Sequence, residues 1–317
     1  MRTLLLTLLL VPMMSFGQNV NIPDANFKNY LLAHTDFSGV LDINTNGDSE
    51  IQVSEANAYA GKISCNGSNI SDLTGIEAFT SLTELDCSSN ELTSFDLSNN
   101  TELNYLRCIG NPITSFDLSN NTALTYLDCS SMKLTSLDVS NNTALEYLFC
   151  SHQFSPILFP NDTSSVRLTS IDISNNVNLI EFFCHYNDIT EIDVSNQPNM
   201  SHLNVSYNQL ECFNFKNGNT SGINSCYAEG NPNLTCIEVS DLSAITQVWI
   251  IDPQTTFSEN CNNACSNTSN ISELNNTTKQ LVKIVDVLGR EARFKPNTPL
   301  LFIYNDGKVE RKMIIEE

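Results

Sequence analysis

Leu82-Thr83-Glu84-Leu85-Asp86-Cys87-Ser88-Ser89-Asn90-Glu91-Leu92 decides the architecture of this chain. Leu85 and Cys87 alternate with Glu84, Asp86 and Ser88, which is the period of two expected for a strand with one buried face. The text then returns. Leu124-Thr125-Tyr126-Leu127-Asp128-Cys129 repeats its first half, and Phe95-Asp96-Leu97-Ser98-Asn99-Asn100-Thr101 is answered by Leu137-Asp138-Val139-Ser140-Asn141-Asn142-Thr143. Cys65, Cys87, Cys108, Cys129 and Cys150 are spaced by 22 and then by 21 residues; Cys184 follows 34 later, one period plus a 13-residue insertion at 155–167. Val205 and Cys226 continue the step of 21. A fixed period in this range marks a solenoid, in which no coil can bury its apolar row without its neighbours.

The unit reads L-x-x-L-x-L-x-x-N-x-L with cysteine at the third leucine. It predicts a mainly β fold: a curved, right-handed leucine-rich-repeat solenoid with a parallel sheet, about eight coils from Cys65 to Cys226, a helical amino-terminal cap and a short β tail. The second alternation, Phe95-Asp96-Leu97, is expected to cover the opposite wall. Asn90, Asn111, Asn187 and Asn208 suit an internal ladder bonding backbone groups. Asp96, Asp117, Asp138, Asp172 and Asp193 would form a column about 5 Å apart, compensated by local Ser, Asn and N–H groups.

Composition narrows the function. The 317 residues carry 36 acidic and 15 basic side chains, a net charge of −21, which argues against nucleic acid and anionic lipid as partners. The acidity belongs to residues 18–270, with 29 acidic and 6 basic side chains. Arg2, the apolar run from Leu4 to Val11 and Ser15-Phe16-Gly17 read as a secretory signal peptide, residues 1–17, too short to span a bilayer. The expected order is then a cap at 18–62, the solenoid at 63–240, a disulfide cap at 241–265, a linker at 266–278 and a tail at 279–317.

The ladder cysteines act as small hydrophobes that allow close stacking, Cys226 rejoining the same column. Such a column does not converge on a metal. Cys212, Cys236, Cys261 and Cys265 fall outside it and allow three pairings. Cys236–Cys261 is favoured because it would pin the segment containing Trp249 over the last coil, with Cys212–Cys265 as the remainder.

In the cap, Pro23 to Leu32 reads as an amphipathic helix with Asp24 as N-cap and Phe27, Tyr30 and Leu31 on one face. The segment that follows is a candidate calcium loop. Counting Asn44 as position 1 places Asn46 at 3, Asp48 at 5, Glu50 at 7 and Glu55 at 12, close to an EF-hand. Asn at position 1 and Ser49 at position 6 depart from that pattern, and a metal-free cap is the competing reading. Either would shield the open end of the solenoid.

The repeats resemble the internalin-J-like class of leucine-rich repeats, 21 residues long with a cysteine ladder, over about residues 65 to 240. That resemblance implies a bacterial surface protein acting in adhesion. The tail, with Lys283-Ile284-Val285-Asp286-Val287-Leu288-Gly289-Arg290 and a Lys-rich finish after Gly307, resembles the carboxy-terminal sorting domain of type IX secretion in Bacteroidota. It implies handling by that secretion machinery and delivery to the outer-membrane surface or the medium.

Repeat solenoids bind on the sheet face, and the outward positions beside the ladder cysteines give the candidate site: Tyr105, Arg107, Tyr126, Asp128, Tyr147, Phe149, Phe183, His185 and His202. Contiguous aromatics of this kind mark interaction surfaces, and with flanking carboxylates they suit an extracellular glycan or protein. Stacking for sheet stability is the competing reading. His185 and His202 share the face with Ser206, but no nucleophile elbow, H-E-x-x-H or phosphate loop is present, so no enzyme and no membrane insertion are expected. A surface-layer protein that self-associates is the alternative function.

Overall fold

The computed structural model describes residues 17–35, 39–40, 42–153, 167–246, 248–261 and 265, together with the backbone of three strands between 281 and 312. The expected signal peptide through residue 16, the insertion at 155–167 except Arg167, the expected linker and the rest of the tail motif lie outside the described residues. The chain separates into two units, Met1–Cys265 and Ser266–Glu317.

In the first unit, α1 (Ala25–Leu32) is capped by Asp24, whose Oδ1 accepts from the Asn26 and Phe27 N–H groups. Its Oδ2 accepts from Ser71 N, 2.8 Å away, so one carboxylate starts the helix and fastens it to the first coil. A second helix, α2 (Val53–Ala58), begins with a capping box between Gln52 and Glu55.

Each coil then contributes one three-residue strand to a parallel sheet: β1 (Lys62–Ser64), β2 (Glu84–Asp86), β3 (Tyr105–Arg107), β4 (Tyr126–Asp128), β5 (Tyr147–Phe149) and β6 (Glu181–Phe183). After β7 (Glu191–Asp193), which lies on the other wall, come β8 (His202–Asn204), β9 (Cys212–Phe215), β10 (Ser225–Tyr227), β11 (Cys236–Val239), β12 (Trp249–Ile250) and β13 (Thr256–Ser258). Among the described residues the main sheet has nine strands, β1-β2-β3-β4-β5-β6-β8-β10-β12, and the opposite wall has four, β13-β11-β9-β7.

The eight coils expected from Cys65 to Cys226 are there, and a ninth follows, because β12 pairs with β10 and β13 with β11. One expectation needs correction: Cys226 does not rejoin the cysteine column. It lies in register with Leu203, and Ala228 takes the ladder seat opposite Val205. The coil between them holds two extra residues. An even shift keeps inward side chains inward, so Cys226 stays buried. The outward positions of this coil are therefore Ser225, Tyr227 and Glu229, and Ile223 is buried.

The ladder positions Leu85, Leu106, Leu127, Leu148, Phe182 and Leu203 are inaccessible to solvent, as are Cys65, Cys87, Cys108, Cys129, Cys150 and Cys184. Burial pushes the Cys65 thiol up to about 12 and raises the others well above the ordinary thiol range, which keeps them unreactive thiols. Cys212 is bonded to Cys265, and Cys236 to Cys261.

Amide side chains link successive coils. Asn111 Nδ2 donates to the carbonyls of Cys87 and Cys108 at 3.0 and 2.9 Å while its Oδ1 accepts from Leu92 N. Asn90, Asn187 and Asn208 repeat this, joined by Gln153 and Asn231. A second ladder, which the sequence reading missed, runs through Asn100, Asn121, Asn142, Asn176 and Gln197, each donating to carbonyls of the preceding coil. Asp96, Asp117, Asp138, Asp172 and Asp193 each accept from the N–H of the serine two residues on, the compensation expected for that column.

In the second unit, β14 (Leu281–Val285), β15 (Leu300–Tyr304) and β16 (Val309–Lys312) form an antiparallel sheet in that order.

Candidate ligand-binding face

Strands β3 to β6 hold their outward aromatic rings half-buried at fixed spacing. Tyr105 and Tyr126 stack with ring centres 4.3 Å apart and planes 15° from parallel. Tyr126 lies 6.0 Å from Tyr147 and 5.5 Å from Phe149, which meets Phe183 edge-on at 5.0 Å. Phe183 leads to His185 at 6.4 Å. The sequence-predicted aromatics thus form one continuous ribbon, made continuous by in-register pairing of Tyr105 with Tyr126 and Tyr147, and of Phe149 with Phe183.

The charged residues flank it. Arg107 stands between Asp86, 3.7 Å away, and Asp128, 3.8 Å away. Lys62 Nζ lies 5.3 Å above the Tyr105 ring and 3.5 Å from Glu84. His202 turns toward Glu181, 3.6 Å away, instead of joining the ribbon.

The structure adds three residues that the sequence reading left out: His152, Tyr186 and Tyr207. They extend the ribbon around the turn that follows the strands. His152 is 4.9 Å from His185 and stacks on Tyr186 at 4.3 Å; Tyr186 and Tyr207 stack at 4.4 Å, 2° from parallel. All three have φ near +55°, in the turn row that also holds Gly67, Ser89, Gly110, Ser131 and Gly230. Bulky side chains are rare in that left-handed region. Gly230 is required where it stands, since a Cβ there would come within 2.7 Å of the Tyr207 ring. The available signal was position, because each of the three immediately precedes a ladder amide, Gln153, Asn187 or Asn208.

His185 Nδ1 lies 2.8 Å from Ser151 Oγ. Burial, with a smaller contribution from His152, pulls the imidazole down to about 4, so it is neutral at physiological pH. Ser151 is buried, and Ser206 Oγ donates to Asn204 instead of reaching a histidine. Among the described residues no carboxylate pairs with His185, so Ser151 and His185 meet without the acid of a Ser-His-acid relay.

The candidate calcium loop folds on itself. Asp48 Oδ2 accepts from Asn46 and from Gln52, which the sequence reading did not include, both at 3.0 Å. Glu55 accepts from Thr45, Asn46 and Gln52, and Glu50 turns away to Lys28 at 2.8 Å. Asn44 is buried, donates to the Asp48 carbonyl, and keeps its Oδ1 without a partner. These are hard oxygen donors of the type calcium takes. Among the described residues no group of three or more His, Cys, Asp or Glu is arranged to hold a metal. No described helix is long and apolar enough to cross a membrane.

Comparison with known proteins fits this geometry. No curated protein sequence matches the chain. The family model of the leucine-rich-repeat domain of EndoS, an endo-β-N-acetylglucosaminidase, matches residues 49–152. The matched part of that glycosidase is its repeat domain. The functional domain of InlJ from Listeria monocytogenes, described as including a cysteine ladder, is 32% identical with a TM-score of 0.57, over 76% of this chain and 47% of that one. The internalin InlF from Listeria monocytogenes is 21% identical with a TM-score of 0.51, over 78% of this chain and 74% of that one, a likeness of fold. The chain spans about half the length of the InlJ domain. What it shares with these proteins is the leucine-rich-repeat fold, and with InlJ a cysteine ladder as well.

Proposed function

We propose that the chain is an exported, non-catalytic binding protein of adhesin type, displayed on the cell surface or released, that holds an extracellular protein or glycan on its aromatic sheet face. The observation that carries this reading is the ribbon from Tyr105 to Tyr207, continuous over five coils. In this scheme residues 18–62 cap the solenoid, 63–265 present the face, and 279–317 address the protein to the type IX secretion machinery. The loop from Asn44 to Glu55 is a candidate calcium loop in this scheme, with a metal-free cap as the competing reading.

The test is binding of the secreted protein to mucin, a glycan panel and host-cell surfaces, with and without calcium, beside a folded Tyr105/Tyr126/Tyr147→Ala variant. Saturable binding that the variant loses supports recognition at this face. Concentration-dependent self-association without a saturable ligand would favour a surface-layer role instead. Deleting residues 279–317 should trap the protein inside the cell envelope, and Glu55→Gln should abolish any calcium-induced rise in melting temperature.

A further inference from the structure

The ribbon's ring faces are largely occupied by one another. Tyr105 lies against Tyr126, and Tyr186 against Tyr207, at 4.3 and 4.4 Å. A sugar is held on an aromatic residue through an open ring face. Rings closed on each other offer their electropositive edges and phenol hydroxyls instead. The phenol oxygens are acceptors that suit a cationic N–H donor.

The charges beside the rings are unbalanced. Along the outward row, Asp86, Arg107 and Asp128 are paired in register, and Phe149 follows. Two carboxylates, 7% and 8% exposed, share one guanidinium. Neither contact is short enough for a hydrogen bond, and Arg107 Nε has no hydrogen-bond partner. Asp128 Oδ1 accepts from Ser130 N at 3.2 Å. Burial raises the Asp128 carboxyl despite Ser130 and Arg107, as expected of an under-neutralised charge. Lys62, poised over Tyr105 and beside Glu84, shows within this chain how an ammonium settles on the face. With 29 acidic against 6 basic side chains over residues 18–270, the long-range field attracts cations as well.

We infer that the ligand of this face, on the binding function proposed above, is a protein segment bearing Arg or Lys, whose cationic head reaches Asp128 between Tyr126 and Phe149. Asp128 is the residue that selects a basic segment.

The full-length secreted protein would be titrated with acetyl-tetraarginine amide, acetyl-tetraglutamate amide and a glycan panel. Asp128→Asn is compared with Asp117→Asn, which removes the same charge from an exposed turn on the opposite wall. Tetraarginine should bind saturably and more weakly as salt rises. It should lose about tenfold or more with Asp128→Asn and less than about twofold with Asp117→Asn. Arg107→Gln, which frees both carboxylates, should tighten tetraarginine binding, and it keeps the inference testable if Asp128→Asn fails to fold. Equal losses in the two Asp variants, or weaker binding by Arg107→Gln, would overturn the inference. Glycan binding that depends on the tyrosines, without tetraarginine binding, would overturn it while leaving the binding function standing. No binding in any arm would overturn both.

Discussion

The Met132 thioether lies 3.7 Å from the Cys108 thiol, in the one seat of the first amide ladder between Asn111 and Gln153 that has no amide. An asparagine there could donate to the Cys108 and Cys129 carbonyls, as Asn111 does to Cys87 and Cys108. Met132→Asn loses roughly 2 kcal/mol of apolar burial and regains about 1 kcal/mol for each hydrogen bond made. It should therefore leave stability within about 1 kcal/mol, whereas Asn111→Met, which strips Leu92 N and the Cys108 carbonyl of their partner while Cys87 keeps Asn90, should cost about 2–4 kcal/mol. Urea unfolding of the two variants checks this. Equal losses would mean that the ladder is spectator to the packing.

Tyr207 sits at φ +53° with its ring against Tyr186. Glycine relieves a left-handed backbone by about 1 kcal/mol or more, and the lost ring pair costs about 0.5–1.5 kcal/mol. Tyr207→Gly should therefore leave the melting temperature nearly unchanged and weaken ligand binding. Leu203→Ala, in the core below, should cost about 2–5 kcal/mol. A large stability loss from Tyr207→Gly would recast the turn aromatics as structural.

Among the described residues seven cysteines are free and buried, and four are paired. Native, unreduced protein should incorporate no thiol reagent, and protein unfolded in guanidinium should incorporate seven equivalents. Mass spectrometry reads the difference. Reduction of Cys212–Cys265 and Cys236–Cys261 should destabilise the last coils first, by about 3–4 kcal/mol for loops of this size.

Stability should fall on mild acidification. His185 binds its proton near pH 4 when folded and near 6.5 when free, so the unfolded chain takes up protons first. No contribution exists above about pH 6.5; the loss grows as pH falls toward 4 and is constant below it. Asp96 and Asp138, held below their ordinary range by hydrogen bonds from Ser98 and Ser140, add a loss only at lower pH, beginning near 3.8. His185→Asn should flatten part of the upper segment, the rest belonging to His152, which burial also depresses, and leave the lower one. An unchanged profile between pH 4 and 6.5 would assign the slope to other groups.

How much was legible follows from what a repeat makes visible. Leu85 and Cys87 announce the inward row because every coil restates them. The ribbon's first six rings are legible because outward positions follow from the inward ones by alternation. Cys226 misled because a shift of two residues preserves alternation and places a cysteine almost where one is due. Asn100 and Asn121 hid in a text that reads as a simple turn. Tyr186 and Tyr207 were missed for a different reason, since a left-handed seat is a property of the backbone that alternation does not reveal. Asp128 was readable as a site residue, but its shared guanidinium was not, because distance is set by packing across strands.

The register across the main sheet survives every change in coil length. Phe149 faces Phe183 across the longest coil, and Leu203 faces Cys226 across one lengthened by two residues. Residues can thus be gained or lost on the return path without re-aiming a ring on the binding face. Tolerance to insertion along this chain should consequently be striped, one permissive band per coil, and a library of loops placed in those bands would vary the rim of the site while its floor stays the same.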